Sequence, residues 1–230
     1  MTSLTAAPGR AATRSGRAVV PAPRHSARAT RDSGRRTRSA LLDAGTRLFA
    51  ARGMQDVSLT EIAAQADAFP SQVTYYFGSK EALFVEAACR EVLHLGTRVE
   101  TAGRTARSRA AYARVMAETA LSSPALLAFA EALLLARQRP TLEPLVARTL
   151  DRLHAEGARA WSERAARQGW PVNAPADAVA RGFWAVILGL VLERAGSGDA
   201  FDLATAEAAV LATLSVQYSP PSAKSRQRRA

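Results

Sequence analysis

Apolar residues recur at the spacing of an α-helix from about residue 36 to residue 218, and this pattern restricts the chain to an all-helical fold. Stretches of alternating Val, Ile and Thr, which would suggest β-strands, are missing from the sequence. Turn-forming residues separate the apolar segments and predict helices at residues 36–52, 58–66, 70–76, 80–95, 105–121, 124–138, 142–168, 175–194 and 203–218. Asn173 and Asp202 are suitable N-caps for the last two.

The charge of the chain is strongly positive and uneven. Lysine and arginine total 31 against 20 acidic residues, a net charge of +11 that suggests a polyanionic partner, either nucleic acid or an anionic membrane. Residues 1–34 carry six arginines and one aspartate, and residues 219–230 carry four basic residues and no acid. Both tails have few large apolar residues, so we expect them to be disordered. The first tail is either an arm that contacts DNA or a solvated extension.

Several classes of protein are disfavoured by what the sequence lacks. One cysteine excludes an intramolecular disulfide or a multi-cysteine zinc site. The longest apolar run, residues 182–192, is too short to span a bilayer, and no secretory signal is recognisable. Phosphate-binding glycine loops, nucleophile elbows and metal-ligand spacings of histidine are also missing. We therefore expect a soluble cytoplasmic protein that is not an enzyme and needs no cofactor.

The segment from residue 36 to residue 80 has the pattern of a helix-turn-helix. A long helix precedes a short helix that begins with a capping box at Ser58 and Glu61, and Pro70 suits the first position of the next short helix. In a helix-turn-helix the second short helix enters the major groove of DNA. Its Gln72 can pair with adenine, and tyrosine hydroxyls such as that of Tyr75 can reach phosphates.

The candidate DNA-binding residues share this segment and a polar or aromatic character. They are Arg36, Ser58, Thr60, Pro70, Ser71, Gln72, Thr74, Tyr75, Tyr76 and Lys80. Lys80 lies in the first turn of the following helix, where a cation opposes the helix dipole. Either an external phosphate offsets this unfavourable charge, or the lysine is solvated and neutralised by Glu81.

Three stretches of this region resemble the TetR family of bacterial transcriptional repressors. They are Ala44-Gly-Thr-Arg-Leu-Phe-Ala-Ala-Arg-Gly53, Ser58-Leu-Thr-Glu-Ile-Ala-Ala64 and Val73-Thr-Tyr-Tyr-Phe-Gly-Ser-Lys-Glu-Ala-Leu-Phe84. By this resemblance Tyr75, Tyr76 and Lys80 match phosphate-facing positions, and Phe77 matches a core position. The chain departs from the family at Phe69, where a small capping residue is usual, and at Thr74, where tyrosine is frequent.

The resemblance implies an all-α fold with an N-terminal three-helix DNA-binding domain and a larger helical domain that binds a ligand and dimerises. We expect a basic arm at residues 1–34, the helix-turn-helix domain at residues 35–80, the effector-binding and dimerisation domain at residues 81–218, and a basic tail at residues 219–230. The implied partners are a palindromic DNA operator, a second copy of the chain and a small-molecule effector, with no membrane.

The last two predicted helices have the composition of a surface between helices. The candidate dimer residues are Val179, Phe183, Val186, Ile187, Leu190, Val210, Leu211 and Leu214, with a track of small residues at Ala178, Gly182, Ala185 and Gly189. The resemblance implies a four-helix interface between two chains. The alternative is that the same residues form the internal core of one chain.

The candidate effector residues lie in the middle helices and are mostly aromatic. They are Tyr112, Met116, Phe129, Leu133, Arg137, Trp161 and Trp184. Tryptophan and tyrosine offer a broad apolar face with one polar atom, and Arg137 suits an anionic ligand. Plain core packing is the alternative for each of them.

The predicted function is a homodimeric repressor that a small effector releases from DNA. Its rivals are a helix-turn-helix regulator without a ligand, a regulator that senses redox through Cys89, a protein that binds membrane surfaces through its basic tails, and an all-α enzyme. Cys89 is either a redox trigger or a small buried residue of the fourth helix.

Overall fold

The computed structural model describes residues 24–172, 174–197 and 202–215, except for the side chains of residues 24–31, 203 and 215. All the regular structure in these residues is helical. The helices are α1 (Arg24–Arg52), α2 (Leu59–Gln65), α3 (Pro70–Phe77), α4 (Lys80–Gly103), α5 (Arg109–Leu121), α6 (Ala125–Gln138), α7 (Glu143–Gln168), α8 (Ala176–Ser197) and α9 (Leu203–Ser215), and a 3₁₀ turn, Pro140–Leu142, precedes α7.

The chain divides into two compact units, Met1–Arg36 and Thr37–Ala230. The helix-turn-helix and the larger helical region thus belong to one unit, whereas the sequence predicted a domain boundary after residue 80. Helix α1 is already formed at Arg24, so the expected disorder of residues 1–34 is wrong for residues 24–34. Arginine and alanine, which dominate that stretch, are good helix formers. Residues 1–23 and 219–230 and the predicted cap Asn173 lie outside the described residues.

Local hydrogen bonds explain where α2 and α3 begin and end. Ser58 caps α2 in a complete capping box, because the Ser58 side chain accepts from the backbone N–H of Glu61 and the Glu61 carboxylate accepts from the backbone N–H of Ser58. The turn after α2 is a Schellman motif, in which Ala68 N–H donates to the Ala63 carbonyl at 2.9 Å. Asp67 occupies the left-handed position of this motif with φ 49°, where glycine is usual.

Helix α4 is longer than the sequence predicted, because two glycines that suggested a break lie inside it. A Cβ atom on Gly103 would lie 2.5 Å from the Tyr112 ring, and one on Gly96 would lie 3.1 Å from the Leu153 side chain. These glycines therefore allow neighbouring helices to approach α4 closely. Helix α5 begins at Arg109, four residues later than predicted, because Ser108 caps it through the backbone N–H of Ala111.

Helix α4 is the centre of the second unit. It packs against α3 near its start and against α5, α6 and α7 along its length, while α8 packs against α7 and α9. Ion pairs hold α1 to α4, with Arg38 2.6 Å from Glu86 and Arg90 2.6 Å from Asp43. The rings of Phe49 and Phe84 meet edge-to-face between the same helices. The apolar core is continuous from the helix-turn-helix to α9.

In the last helices the boundaries are close to those predicted. Helix α8 continues to at least Ser197, past the predicted end at residue 194. Asp202 caps α9 as expected, since its carboxylate accepts from the backbone N–H groups of Ala204 and Thr205. Among the described residues no single helix is long and apolar enough to cross a membrane, although α5 and α6 pass the length and composition criteria as a pair bent by 67°.

Candidate DNA-binding surface and effector cavity

Most of the polar candidates of the helix-turn-helix are exposed. Pro70, Ser71, Thr74 and Tyr75 on α3 are exposed, and Tyr75 leaves 80% of its surface free. Two further candidates, Ser58 and Thr60 at the start of α2, are also exposed, although the Ser58 side chain is occupied in the capping box. Tyr76 is half-buried, and its ring meets that of Tyr75 edge-to-face at 4.9 Å. Arg36 is exposed and belongs to the first unit.

Gln72 has a local role that its sequence position did not reveal. Its Oε1 atom accepts a hydrogen bond of 2.9 Å from the backbone N–H of Phe69, which caps the start of α3. The bidentate pairing with adenine that the sequence suggested needs both the oxygen and the amino group of a glutamine. The Gln72 oxygen would therefore have to accept from the backbone and from adenine at the same time, which its two lone pairs allow.

Lys80 stabilises the turn before α2. Its Nζ atom donates to the Val57 carbonyl at 2.9 Å and to the Gln55 carbonyl at 3.4 Å. Lys80 is therefore not simply solvated, as the simpler interpretation expected. The contact does not exclude a phosphate, since an ammonium group has three protons to donate. Glu81 pairs instead with Arg139 at 3.4 Å.

Two further exposed residues of this region are not among the candidates from the sequence. Phe69 is 74% exposed, and Asp67 is exposed in the turn between α2 and α3. The signal for Phe69 was present in the sequence, because a large aromatic side chain at an N-cap can neither cap the helix nor enter the core from that position. The left-handed backbone of Asp67 could be suspected only from the short turn between two helices.

A cavity lies among the C-terminal helices, walled by α4, α5, α7, α8 and the end of α9. Its empty space is about 540 Å³, counting the open mouth. Four of the predicted effector residues line it: Tyr112, Met116, Trp161 and Trp184. The rest of the wall comprises Gly96, Val99, Glu100, Leu153, Glu156, Gly157, Ala160, Val179, Ala180, Phe183 and Leu214.

The other three effector candidates do not line this cavity. Phe129 is fully buried, Leu133 is half-buried and Arg137 is exposed, all on α6. The reason is that α6 packs its apolar face against α4 and α8. Arg137 is therefore not in the cavity wall, where the sequence suggested that it would meet an anionic ligand.

The polar atoms of the wall are few and acidic in character. Among the described residues, Glu100 and Glu156 are the charged side chains that line it. Glu100 pairs with Arg159 at 3.0 Å and with Arg104 at 3.3 Å, and Glu156 pairs with Arg152 at 2.8 Å.

Two aromatic donors complete the cavity wall. The Trp161 indole N–H is buried and has no hydrogen-bond partner among the described residues. Burial raises the pKa of Tyr112 to about 12, so its hydroxyl keeps its proton at neutral pH. The wall therefore offers aromatic faces, a carboxylate edge and neutral donors.

Six of the eight predicted dimer residues are buried within one chain. They are Val179, Phe183, Ile187, Leu190, Val210 and Leu214. Three of these, Val179, Phe183 and Leu214, line the cavity. Val186 and Leu211 are half-buried. The apolar face of α8 and α9 therefore forms internal core, and a second chain can reach only what those helices leave exposed.

Cys89 lies on the buried side of α4. It is 3% exposed, and burial raises the pKa of its thiol. Oxidation proceeds through the thiolate at accessible positions. The structure therefore favours the packing interpretation over redox sensing.

Two family models match the chain. The model for bacterial regulatory proteins of the tetR family covers residues 41–87, and the model for a bacterial transcriptional repressor C-terminal domain covers residues 109–213. The HTH-type transcriptional regulator BetI of Brucella melitensis biotype 2 is 29% identical over 193 residues, which is 81% of this chain and 94% of that protein.

Solved structures agree with these matches. A protein described as a transcriptional regulator from Rhodococcus sp. RHA1 is 38% identical and superposes with a TM-score of 0.71, over 77% of this chain and 95% of its own. A regulator from Saccharomonospora viridis in complex with choline shares the fold at 22% identity and a TM-score of 0.54, over 75% of this chain and 92% of its own. The chain thus belongs to the TetR family of bacterial transcriptional regulators.

Proposed function

We propose that this helix-turn-helix regulator is a cytoplasmic repressor that binds a palindromic operator as a homodimer and is released when an effector fills the cavity. The observation that carries the proposal is the continuity of α4. This one helix begins at Lys80, beside the helix-turn-helix, and brings Gly96, Val99 and Glu100 to the cavity wall. A ligand that displaces the far end of α4 also moves the DNA-binding helices, because a packed helix moves as a rigid element.

Two recognition helices must reach successive major grooves, which requires a two-fold partner. The exposed parts of α8 and α9 supply the surface for it. On α8 the small residues Ala178, Ala185 and Gly189 are exposed, together with Leu192, which leaves 51% of its surface free. On α9 the exposed face carries Ala204, Ala208 and Ala212. Small side chains allow close helix approach. The proposed interface therefore consists of this exposed face, and not of the buried residues that the sequence suggested.

The cavity favours a small organic cation. Tyr112, Trp161, Phe183 and Trp184 provide aromatic faces, which attract quaternary ammonium groups. Glu100 and Glu156 add two carboxylates to the wall, and the arginines that pair with them are not among its lining residues. The family neighbour from Saccharomonospora viridis, which is in complex with choline, supports this class of ligand.

Choline and its neutral isostere 3,3-dimethylbutan-1-ol test the effector class, because they have the same shape and differ in charge. We expect choline to release the full chain from its selected operator at a concentration at least about tenfold lower than the neutral alcohol, as the cation–aromatic attraction in a desolvated site implies. Fluorescence anisotropy of labelled operator measures the release.

Glu156→Gln is the matched variant, since it removes one charge and keeps the shape of the side chain. It should reduce the preference for choline and leave operator affinity without ligand unchanged. Equal release by both compounds, or release by neither, would contradict the cationic effector. If no compound that binds in the cavity releases the operator, the alternative function of a regulator without a ligand is favoured.

A further inference from the structure

We infer that Phe69 is a specificity-determining residue that contacts the methyl group of a thymine in the major groove. This inference rests on the DNA-binding role of α3. Phe69 is the N-cap of that helix, and the N-terminal residues of a recognition helix are the ones that contact base edges.

The first observation is the exposure of the side chain. Phe69 leaves 74% of its surface free, although its neighbour Ala68 packs against the core. Covering a large aromatic ring with an apolar partner removes its surface from water and is favourable. The thymine methyl is the apolar group that the major groove displays, and phenylalanine is among the side chains that contact it.

The second observation is that phenylalanine is a poor choice for the local structure. Its side chain makes no cap hydrogen bond to α3, whereas serine at this position would supply one. Gln72 compensates by accepting from the backbone N–H of Phe69 at 2.9 Å. A residue that is unfavourable for its local secondary structure and gains no packing contact in return is expected at a functional position.

The same hydrogen bond assigns complementary roles to the two residues. Because its oxygen is held by the backbone, Gln72 fixes the start of α3 and therefore the place of the Phe69 ring. Its amino group can donate to an acceptor on a base. The structure thus predicts apolar reading of thymine at Phe69 next to a hydrogen bond from Gln72.

Replacement of thymine by deoxyuracil, which removes only the methyl group, tests the inference. An operator is first selected from random DNA with the full chain, and each thymine is then replaced in turn. We expect one thymine in each half-site where the replacement weakens binding about fourfold, as for the loss of one buried methyl contact.

Phe69→Ser should abolish this sensitivity at that thymine while keeping α3 folded, because serine can cap the helix. Phe69→Leu, which keeps an apolar contact, should retain it. Leu134→Ser, a change of an exposed apolar residue on α6, is the control and should leave the profile unchanged.

A wild-type chain insensitive to every replacement, or a sensitivity that persists in Phe69→Ser, would overturn the role of Phe69 and assign its exposed ring to another partner. Failure to select any operator would instead contradict the proposed function, and this inference with it.

Discussion

Lys80 has a structural role beside the phosphate contact proposed for it. Its ammonium joins the start of α4 to the carbonyls of Val57 and Gln55, and so holds the turn that leads into α2. The cost of a cation at a helix N-terminus is offset by these acceptors, which the sequence could not place. A phosphate contact would use the remaining proton.

Lys80→Met keeps the length of the side chain and removes the charge. We expect the free energy of unfolding to fall by about 1 kcal/mol, because the Val57 carbonyl loses its donor. If Lys80 also contacts a phosphate, the slope of log affinity against log salt should fall by about one. Denaturant unfolding and operator titrations at several salt concentrations measure the two effects. Arg47→Met on the exposed side of α1 is the control, and unchanged stability in Lys80→Met would refute the structural role.

Glu61 gives the capping box a pH dependence. Hydrogen bonds from Ser58, then the neighbouring Arg52, lower the pKa of Glu61 from 4.5 to about 2. A carboxyl group whose pKa is lower in the folded state stabilises it above the unfolded pKa, and this stabilisation is lost as pH falls through the folded value. Glu61→Gln should therefore be less stable than wild type at neutral pH. The difference should shrink between about pH 4.5 and pH 2, as followed by thermal unfolding. A difference that does not change with pH would contradict the assignment.

At the scale of the element, α4 is where sequence reasoning failed most clearly. Gly96 and Gly103 suggested a loop, because glycine is a poor helix former. The structure explains them by the side chains of Leu153 and Tyr112, which occupy the space of the missing Cβ atoms. That information is tertiary and cannot be read from local sequence.

Gly103→Ala tests this explanation. Alanine favours a helix by up to about 1 kcal/mol, but here its methyl group would displace the Tyr112 ring, at a cost of about 1–3 kcal/mol. We expect a net loss of stability together with a change in tryptophan fluorescence, because Tyr112 packs on Trp161 and Trp170. Gly196→Ala on α8, where a Cβ atom would meet nothing within 4 Å, should be neutral or stabilising. Equal gains in both variants would refute the close contact.

The features that sequence could predict are those with local causes. Ser58 with Glu61, Pro70 and Asp202 each mark a helix start through hydrogen bonds or backbone geometry within a few residues. The effector and dimer residues depend on which helix faces meet. An apolar stripe looks the same whether it meets its own chain or another, so Phe183 was assigned to an interface although it lines the cavity.

For the whole molecule, the proposed dimer rests on the exposed small residues of α8 and α9. Ala185→Glu places a charge in the centre of that face without entering the core. We expect the chain to become monomeric by sedimentation and its operator affinity to fall at least about tenfold, because one recognition helix reads only a half-site. Leu134→Glu replaces another exposed apolar residue, on α6, and should leave both properties unchanged. An Ala185→Glu dimer of normal affinity would place the interface elsewhere.

For the whole molecule, net charge is a weaker guide to the DNA-binding surface than the value of +11 suggests. Most of the excess lies in residues 1–34 and 219–230, so the part between them is only slightly basic. Under the proposed function the tails add affinity and salt dependence for any DNA, and α2 and α3 supply the specificity.

Selection of binding sites from random double-stranded DNA by the full chain tests the central claim most directly. The account predicts an inverted repeat whose half-sites lie about 34–36 Å apart, or a multiple of this spacing, so that two copies of α3 reach major grooves on one side of the duplex. Enrichment of a single unrepeated motif, or of no motif at low salt, would contradict it.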